Sequence, residues 1–290
     1  MSNYVILTDS CCDLTQEKAD QLGLRVVPLT VSSPKGDFRN FLDHREVDVE
    51  TFYSYLRAGD MCKTSAINVD QWTEAMEEII KEGKDVLCLA FSSGLSGTYN
   101  ASVLAAQELN EKYPERKVYT VDTLCASMGQ GLFVYLAARK QQEGASLEEL
   151  RDWAEANKMS VAHWFTVDDL MHLKRGGRVS AATAVVGTML KIKPVLHVDD
   201  EGHLISMEKA RGRKAALNML VDKMGETGVN LPEQEVFISH GDCLADAEFV
   251  AAKVKERFGV KTVHINHIGP VIGAHAGPGT VALFWMASQR

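Results

Sequence analysis

Residues 86–91, Val-Leu-Cys-Leu-Ala-Phe, are apolar at every position and have the length of a strand buried on both faces. A shorter apolar run at 5–7 ends at Thr8-Asp9-Ser10, and another at 118–121 ends at Asp122. Between these runs the apolar positions recur every three or four residues. Trp72, Ala75, Met76, Ile79 and Ile80 fall on one face of a helix predicted over 71–81. Similar patterns predict helices over 13–22, with Asp13 as N-cap, and over 50–56, 97–113 and 128–142. Residues 25–31 read as a further strand, which Pro28 places at a sheet edge. Buried strands alternating with helices argue for a parallel sheet covered on both faces.

Past residue 160 the rhythm changes. A strand at 161–167 leads into a short helix at 168–173, capped by Thr166 or Asp168, and then an apolar helix at 179–190. Segments 194–198 and 203–208 flank Asp199-Asp-Glu-Gly202 and read as a β-hairpin. A helix at 213–224, a strand at 236–239, a helix at 245–258 and a strand at 262–268 complete the pattern. The expectation is an α/β protein of two domains. Residues 1–160 form a parallel-sheet domain and residues 161–290 an α+β domain, each near the usual ~150-residue size.

Composition narrows the function classes. Lys and Arg number 31 against 39 Asp and Glu, a net charge of −8, which repels nucleic acid and anionic membranes at long range. No helix-turn-helix pattern stands out, so a DNA-binding regulator is disfavoured. None of the six cysteines forms a C-x-x-C pair, and no Cys/His cluster has zinc spacing, so no metal site is expected. His264 and His267 would face opposite sides of a strand. Vicinal Cys11 and Cys12 read as small packing residues. The opening residues lead directly into a strand with no secretory pattern, and free cysteines fit a cytoplasmic location. Residues 267–289 carry no Lys, Arg, Asp or Glu, but four glycines and two prolines argue against a membrane span.

Familiar enzyme motifs are missing. There is no phosphate loop, no G-x-G-x-x-G after a strand and no H-E-x-x-H. Gly94-Leu95-Ser96-Gly97-Thr98 approaches the G-x-S-x-G nucleophile elbow but fails at its last position. Hydroxyl-rich loops stand instead where ligands bind an open α/β sheet: Thr8-Asp9-Ser10, Lys63-Thr64-Ser65 and the stretch from Ser92 to Thr98. The last precedes a long helix, whose N-terminus suits an anion. It reads equally as a helix cap by Ser93 or Ser96. His275 lies among small and apolar residues, either as a core histidine or at a ligand. Basic residues gather at 174–178, at Lys191 and Lys193, and over 209–214, as solvated charge or as a partner or phosphate surface.

Taken in order, the loops resemble the DegV family. They are Thr8-Asp9-Ser10 with Asp13-Leu14, Lys63-Thr64-Ser65, Ser92-Ser93-x-Leu95-Ser96-Gly97-Thr98-Tyr99 and Val121-Asp122-Thr123. Thr166-Val-Asp-Asp-Leu170, Lys174-Arg-Gly-Gly-Arg-Val-Ser180, Lys191-Ile-Lys-Pro194 and Gly273-Ala-His275-x-Gly277-Pro-Gly279 follow. Bacterial members of that family bind fatty acids, and some are subunits of fatty acid kinase. The resemblance implies a two-domain DegV-like fold with a long-chain fatty acid buried between the domains and no other cofactor. The carboxylate would be held by Thr64 and Ser96, with His275 close and Ser93, Ser65 and Gly97 alongside. Such a chain is a cytoplasmic carrier with no catalytic residues of its own, presenting the acyl chain to a separate ATP-dependent kinase subunit for phospholipid synthesis. Arg178, Arg211 and Arg213 would contact that kinase or its nucleotide phosphates. The tunnel walls would come from apolar helices such as 128–138 and 179–190. Ala66-Ile67 stands where the family usually has Gln-Pro, so local loop geometry and chain-length preference are expected to differ. The alternative is a phosphotransferase or a Ser96 hydrolase of related α/β architecture.

Overall fold

The computed structural model describes residues 3–179 and 192–290. The expected helix at 179–190, together with Ser180 and Lys191, therefore falls almost wholly outside the described residues; only Val179 is seen, and it is buried.

The first strands form a parallel sheet. β1 (Tyr4–Asp9) lies between β2 (Arg25–Val27) and β6 (Asp85–Ala90), and β7 (Val118–Asp122) completes the order β2-β1-β6-β7. β1 is buried at all six positions, as its apolar run requires. The strand expected at 25–31 is in fact two. Pro28 lacks an N–H and ends β2 at the sheet edge, and β3 (Thr30–Ser33) joins a separate antiparallel sheet between β4 (Gly36–Arg39) and β5 (Lys63–Ser65).

The helices of this part are α1 (Gln16–Gln21), α2 (Val49–Arg57), α3 (Val69–Lys81), α4 (Thr98–Lys112), α5 (Met128–Gln142) and α6 (Leu147–Asn157). α3 and α6 each begin with a reciprocal capping box, Asn68 with Gln71 and Ser146 with Glu149. The cap of α1 is Thr15, not Asp13. Asp13 adopts a left-handed conformation (φ 51°) after a 3-10 turn at Ser10–Cys12 and is buried.

The second sheet has six strands: β8 (Val161–Thr166), β9 (Ile192–Val198), β10 (Leu204–Arg211), β11 (Glu235–His240), β12 (Thr262–His267) and β13 (Val281–Met286). Their order is β10-β9-β8-β13-β11-β12, with only β11 and β12 parallel. The expected hairpin is present as β9 and β10. β13, for which no strand is expected from the sequence, occupies the centre of the sheet and takes up six residues of the uncharged stretch 267–289. Helices α7 (Leu170–Arg175), α8 (Arg213–Thr227), α9 (Leu244–Phe258) and α10 (Pro270–Ala276) complete this part. Asp169, rather than Thr166 or Asp168, caps α7. Thr166 instead donates to the Pro194 carbonyl, and Asp168 pairs with Lys193.

One apolar core joins the two sheets. Ile6, Leu87 and Leu89 of the first sheet share it with Phe165, Leu196 and Phe284 of the second, through Leu132 and Phe133 of α5. A helix apolar around most of its circumference can only sit between two layers, and α5 does so. α10 returns from the second part onto α2, β3 and β5 of the first. No helix among the described residues is long and apolar enough to cross a membrane.

Candidate ligand site

Because the strands of the first sheet are parallel, the loops after β1, β6 and β7 gather at one end. Asp9, fully buried at the end of β1, ties them together. Its carboxylate accepts from the Cys11 N–H (3.0 Å), the Phe91 N–H (2.8 Å) and the Gln130 amide (3.1 Å). Asp13 anchors the second part in the same way. It accepts from the Ser127 hydroxyl (2.5 Å) and the Gly269 N–H (3.0 Å), while Ser127 also contacts the Ser239 hydroxyl (2.8 Å). Burial pushes the Asp13 carboxyl up to about 7, against the lowering effect of those two donors. No Cβ fits on Gly269, where it would stand 2.7 Å from Asp13 Oδ1.

Between these anchors lies a cavity with about 920 Å³ of atom-free space, its open mouth included. Phe165, Phe284, Ala282 and Val198 of the second sheet, Leu204, Phe91 and Leu95 make its walls. Val271, Ile272 and His275 of α10 and Leu173 of α7 close another side. The stretch 128–138 of α5, expected as tunnel wall, is absent from this lining and belongs to the core; only Ala126 and Ser127, just before it, face the cavity. The second sheet, the loop after β6 and α10 supply the apolar wall instead.

Thr64, Ser96, Gly97, Arg178 and His275 all line this cavity. Thr64 sits mid-strand in β5, held by pairing opposite Val31, and its Oγ1 is 2.8 Å from His275 Nε2. Ala66 also faces the cavity, while Ile67 is buried in the neighbouring core. Ser96 Oγ accepts from the Thr98 N–H (3.3 Å) and lies 2.9 Å from Thr98 Oγ1. The N-cap of α4 is Gly97, which makes no side-chain cap bond, so the expected cap by Ser93 or Ser96 is not what the helix uses; Ser96 faces the cavity while accepting from the first helical N–H. Its hydroxyl is paired with Thr98, whereas a serine nucleophile needs a base.

Arg178 reaches the cavity from the loop after α7. Its Nε donates to the Leu95 carbonyl (3.2 Å) and its NH1 to the Gly176 carbonyl. It forms no ion pair among the described residues, and burial lowers its pKa. Burial, and then the Arg178 charge, lower His275 to about 4, so the imidazole is neutral at pH 7. One end of a largely apolar cavity, whose other polar lining residues are Ser127, His163 and Thr280, thus carries a guanidinium without a carboxylate, two hydroxyls and a neutral imidazole.

The other expected residues lie elsewhere. Ser65 points away from Thr64 by strand alternation and is exposed. Ser93 is half-buried, with its N–H on Asp122 (3.2 Å). Arg211 is exposed at the end of β10. Arg213 pairs with Asp246 (2.8 Å) and approaches Asp168 (3.7 Å). His264 meets Glu235 (2.5 Å), and the His267 ring lies tilted by 55° against that of His240 with ring centres 4.4 Å apart.

Sequence reasoning missed Ser127 and His163 as cavity residues. His163 is fully buried, with Nδ1 2.9 Å from the Val161 carbonyl and Nε2 accepting from the Ala126 N–H (3.3 Å). Its strand position was visible in the sequence, but which strand face meets the cavity depends on the opposite layer.

A model of the uncharacterised DegV family matches residues 3–288. A DegV domain-containing protein of Clostridium perfringens is 44% identical over 290 residues, covering 100% of this chain and 99% of the relative. A solved DegV family protein from Thermus thermophilus, described by its fatty acid binding, superposes with a TM-score of 0.87 at 30% identity, over 98% of this chain and 99% of that one. The B3 protein of Streptococcus pneumoniae fatty acid kinase, solved loaded with linoleic acid, gives a TM-score of 0.87 at 20% identity, over 99% and 100%. At that identity the likeness is one of fold.

Proposed function

The chain belongs to the DegV family, and on that premise we propose that it carries a long-chain fatty acid in the cavity lined by the six-stranded sheet, β5, α10 and the loop after β6. The observation that carries this reading is the polarity of the cavity: largely apolar walls, with Thr64, Ser96, His275 and Arg178 gathered at one end. The fatty acids bound by the relatives from Thermus thermophilus and Streptococcus pneumoniae support it. A division of the chain at residue 160 into two domains belongs to the same proposal.

The head group binds by hydrogen bonds and one charge. The His275 Nε2–H donates to Thr64 Oγ1, which frees the Thr64 hydroxyl proton for a carboxylate oxygen. Ser96 donates to the other oxygen, and Arg178 supplies the counter-charge without which burying a carboxylate is costly. The acyl chain adds ~0.8 kcal/mol per buried CH₂, so ten methylenes contribute about 8 kcal/mol before the cost of ordering the chain.

The Thr64–His275 pair also borders a second hollow lined by Lys63, His172, Arg175 and Arg178. Cationic side chains outside the carboxylate suit the approach of a phosphate donor. This supports presentation of the acyl carboxylate to a separate ATP-dependent kinase subunit, as the kinase membership of the Streptococcus pneumoniae B3 protein suggests.

Native mass spectrometry of protein purified from bacteria tests the carrier reading. The expected result is a mass increment of one long-chain fatty acid, restored when delipidated protein is given palmitate or oleate. A chain that is ligand-free as purified and takes up neither overturns it. ATP turnover by the isolated chain would favour the phosphotransferase reading instead.

A further inference from the structure

Arg290 offers five N–H donors, and each has an acceptor. Nε donates to the Val161 carbonyl (3.3 Å). NH1 donates to the carbonyls of Leu124 (2.8 Å) and Asp199 (3.3 Å). NH2 donates to the Lys158 carbonyl (2.7 Å) and Cys125 Sγ (3.4 Å). All five acceptors are uncharged, and they come from three separate places. Lys158 and Val161 flank the turn leading into β8, Leu124 and Cys125 belong to the loop between β7 and α5, and Asp199 opens the tip of the β9–β10 hairpin.

That hairpin tip leans on the first part of the chain. The Ser92 hydroxyl donates to the Gly202 carbonyl (3.0 Å). A Cβ on Gly202 (φ 78°) would stand 2.1 Å from Ser92 Oγ and 3.2 Å from Leu124 Cδ2, and one on Gly94 would stand 2.6 Å from the Glu201 carbonyl oxygen. The contact therefore has no slack. Val198 and Leu204, on either side of the tip, both line the large cavity, and so does Ala126, next to Cys125. β10 is the edge strand of its sheet, so the tip has no strand beyond it to hold it down. Segments with few restraints open first.

We infer that Arg290 is a positioning residue for the acyl cavity. It fastens the hairpin tip to the β7–α5 loop and thereby sets how fast a bound acyl chain is released. This rests on the fatty-acid reading for the nature of the ligand, but the fastening itself does not. Charge-assisted bonds from one planar fork to several carbonyls are a geometry that lysine cannot reproduce, because its ammonium has three tetrahedrally arranged donors.

The test compares wild type, Arg290→Ala and Arg290→Lys. Hydrogen exchange of delipidated protein reads residues 199–205 and 124–126, and stopped-flow fluorescence reads release of a bound fluorescent C18 polyene fatty acid. Both variants are expected to exchange about tenfold faster in those two segments alone, and to release the fatty acid about tenfold faster. Wild-type exchange in Arg290→Ala, faster exchange spread over the whole chain, or full rescue by lysine overturns the inference. So does local loosening without faster release from a protein that binds the probe. If wild type binds no fatty acid at all, the functional reading fails, and the exchange data still decide whether Arg290 fastens the wall.

Discussion

Thr64 Oγ1 and His275 Nε2 stand 2.8 Å apart although 211 residues separate them in the chain. The contact exists because α10 packs back across β5. Burial holds His275 neutral, so the ring can orient the threonine hydroxyl without adding a second positive charge to that of Arg178. Thr64→Val keeps the shape and removes the donor. Fatty-acid affinity measured by fluorescence displacement should fall roughly 10–100-fold, as expected for a hydrogen bond to a charged group. Unchanged affinity would place the head group elsewhere.

Arg178 supplies charge, and its loss should be felt by the carboxylate alone. Arg178→Gln is expected to weaken palmitate binding about tenfold or more while leaving methyl palmitate nearly unchanged. An equal loss for acid and ester would mean that the side chain acts by packing.

Gly176 has ordinary helical backbone (φ −72°), so alanine carries no conformational strain there. Its Cβ would nevertheless fall 2.2 Å from His275 Nδ1. Gly176→Ala should displace the imidazole and weaken fatty-acid binding to about the level of His275→Ala. The crowding should cost about 1–3 kcal/mol of stability, read by chemical denaturation. Wild-type binding in Gly176→Ala would show that the ring position is unimportant.

Asp13 makes stability depend on pH. Its carboxyl is raised from 3.8 to about 7 in the folded protein, chiefly by burial. Below about pH 3.8 both folded and unfolded states hold the proton, and the contribution is fully present. Between there and about 7 the unfolded chain releases a proton that the folded chain keeps, so stability is lost as pH rises. Buried His240 and half-buried His275, lowered to about 4, give the opposite slope below about 6.5. Those terms are shared with Asp13→Asn and cancel in a comparison. The variant's stability relative to wild type should therefore improve by up to a few kcal/mol from pH 4 to pH 7.5, measured by urea unfolding. A flat difference would refute the assignment.

The amino-acid pattern alone determined the α/β class, the helices 71–81 and 128–142 and the β9–β10 hairpin, because these depend on short-range periodicity and turn chemistry. The order of hydroxyl-rich loops was likewise enough to point to the family. Tertiary structure decided the rest. It split residues 25–31 between two sheets at Pro28, and it placed β13 at the centre of a sheet where the sequence reading saw a glycine-rich, uncharged stretch. It also chose Thr64 over Ser65 as the cavity residue, since alternation shows that the two face opposite sides but not which side meets the cavity. Arg178 entered the cavity, while Arg213 became an ion-pair partner of Asp246. Such outcomes rest on contacts between distant segments, such as Thr64 with His275, and local propensity carries no record of which distant segment will arrive.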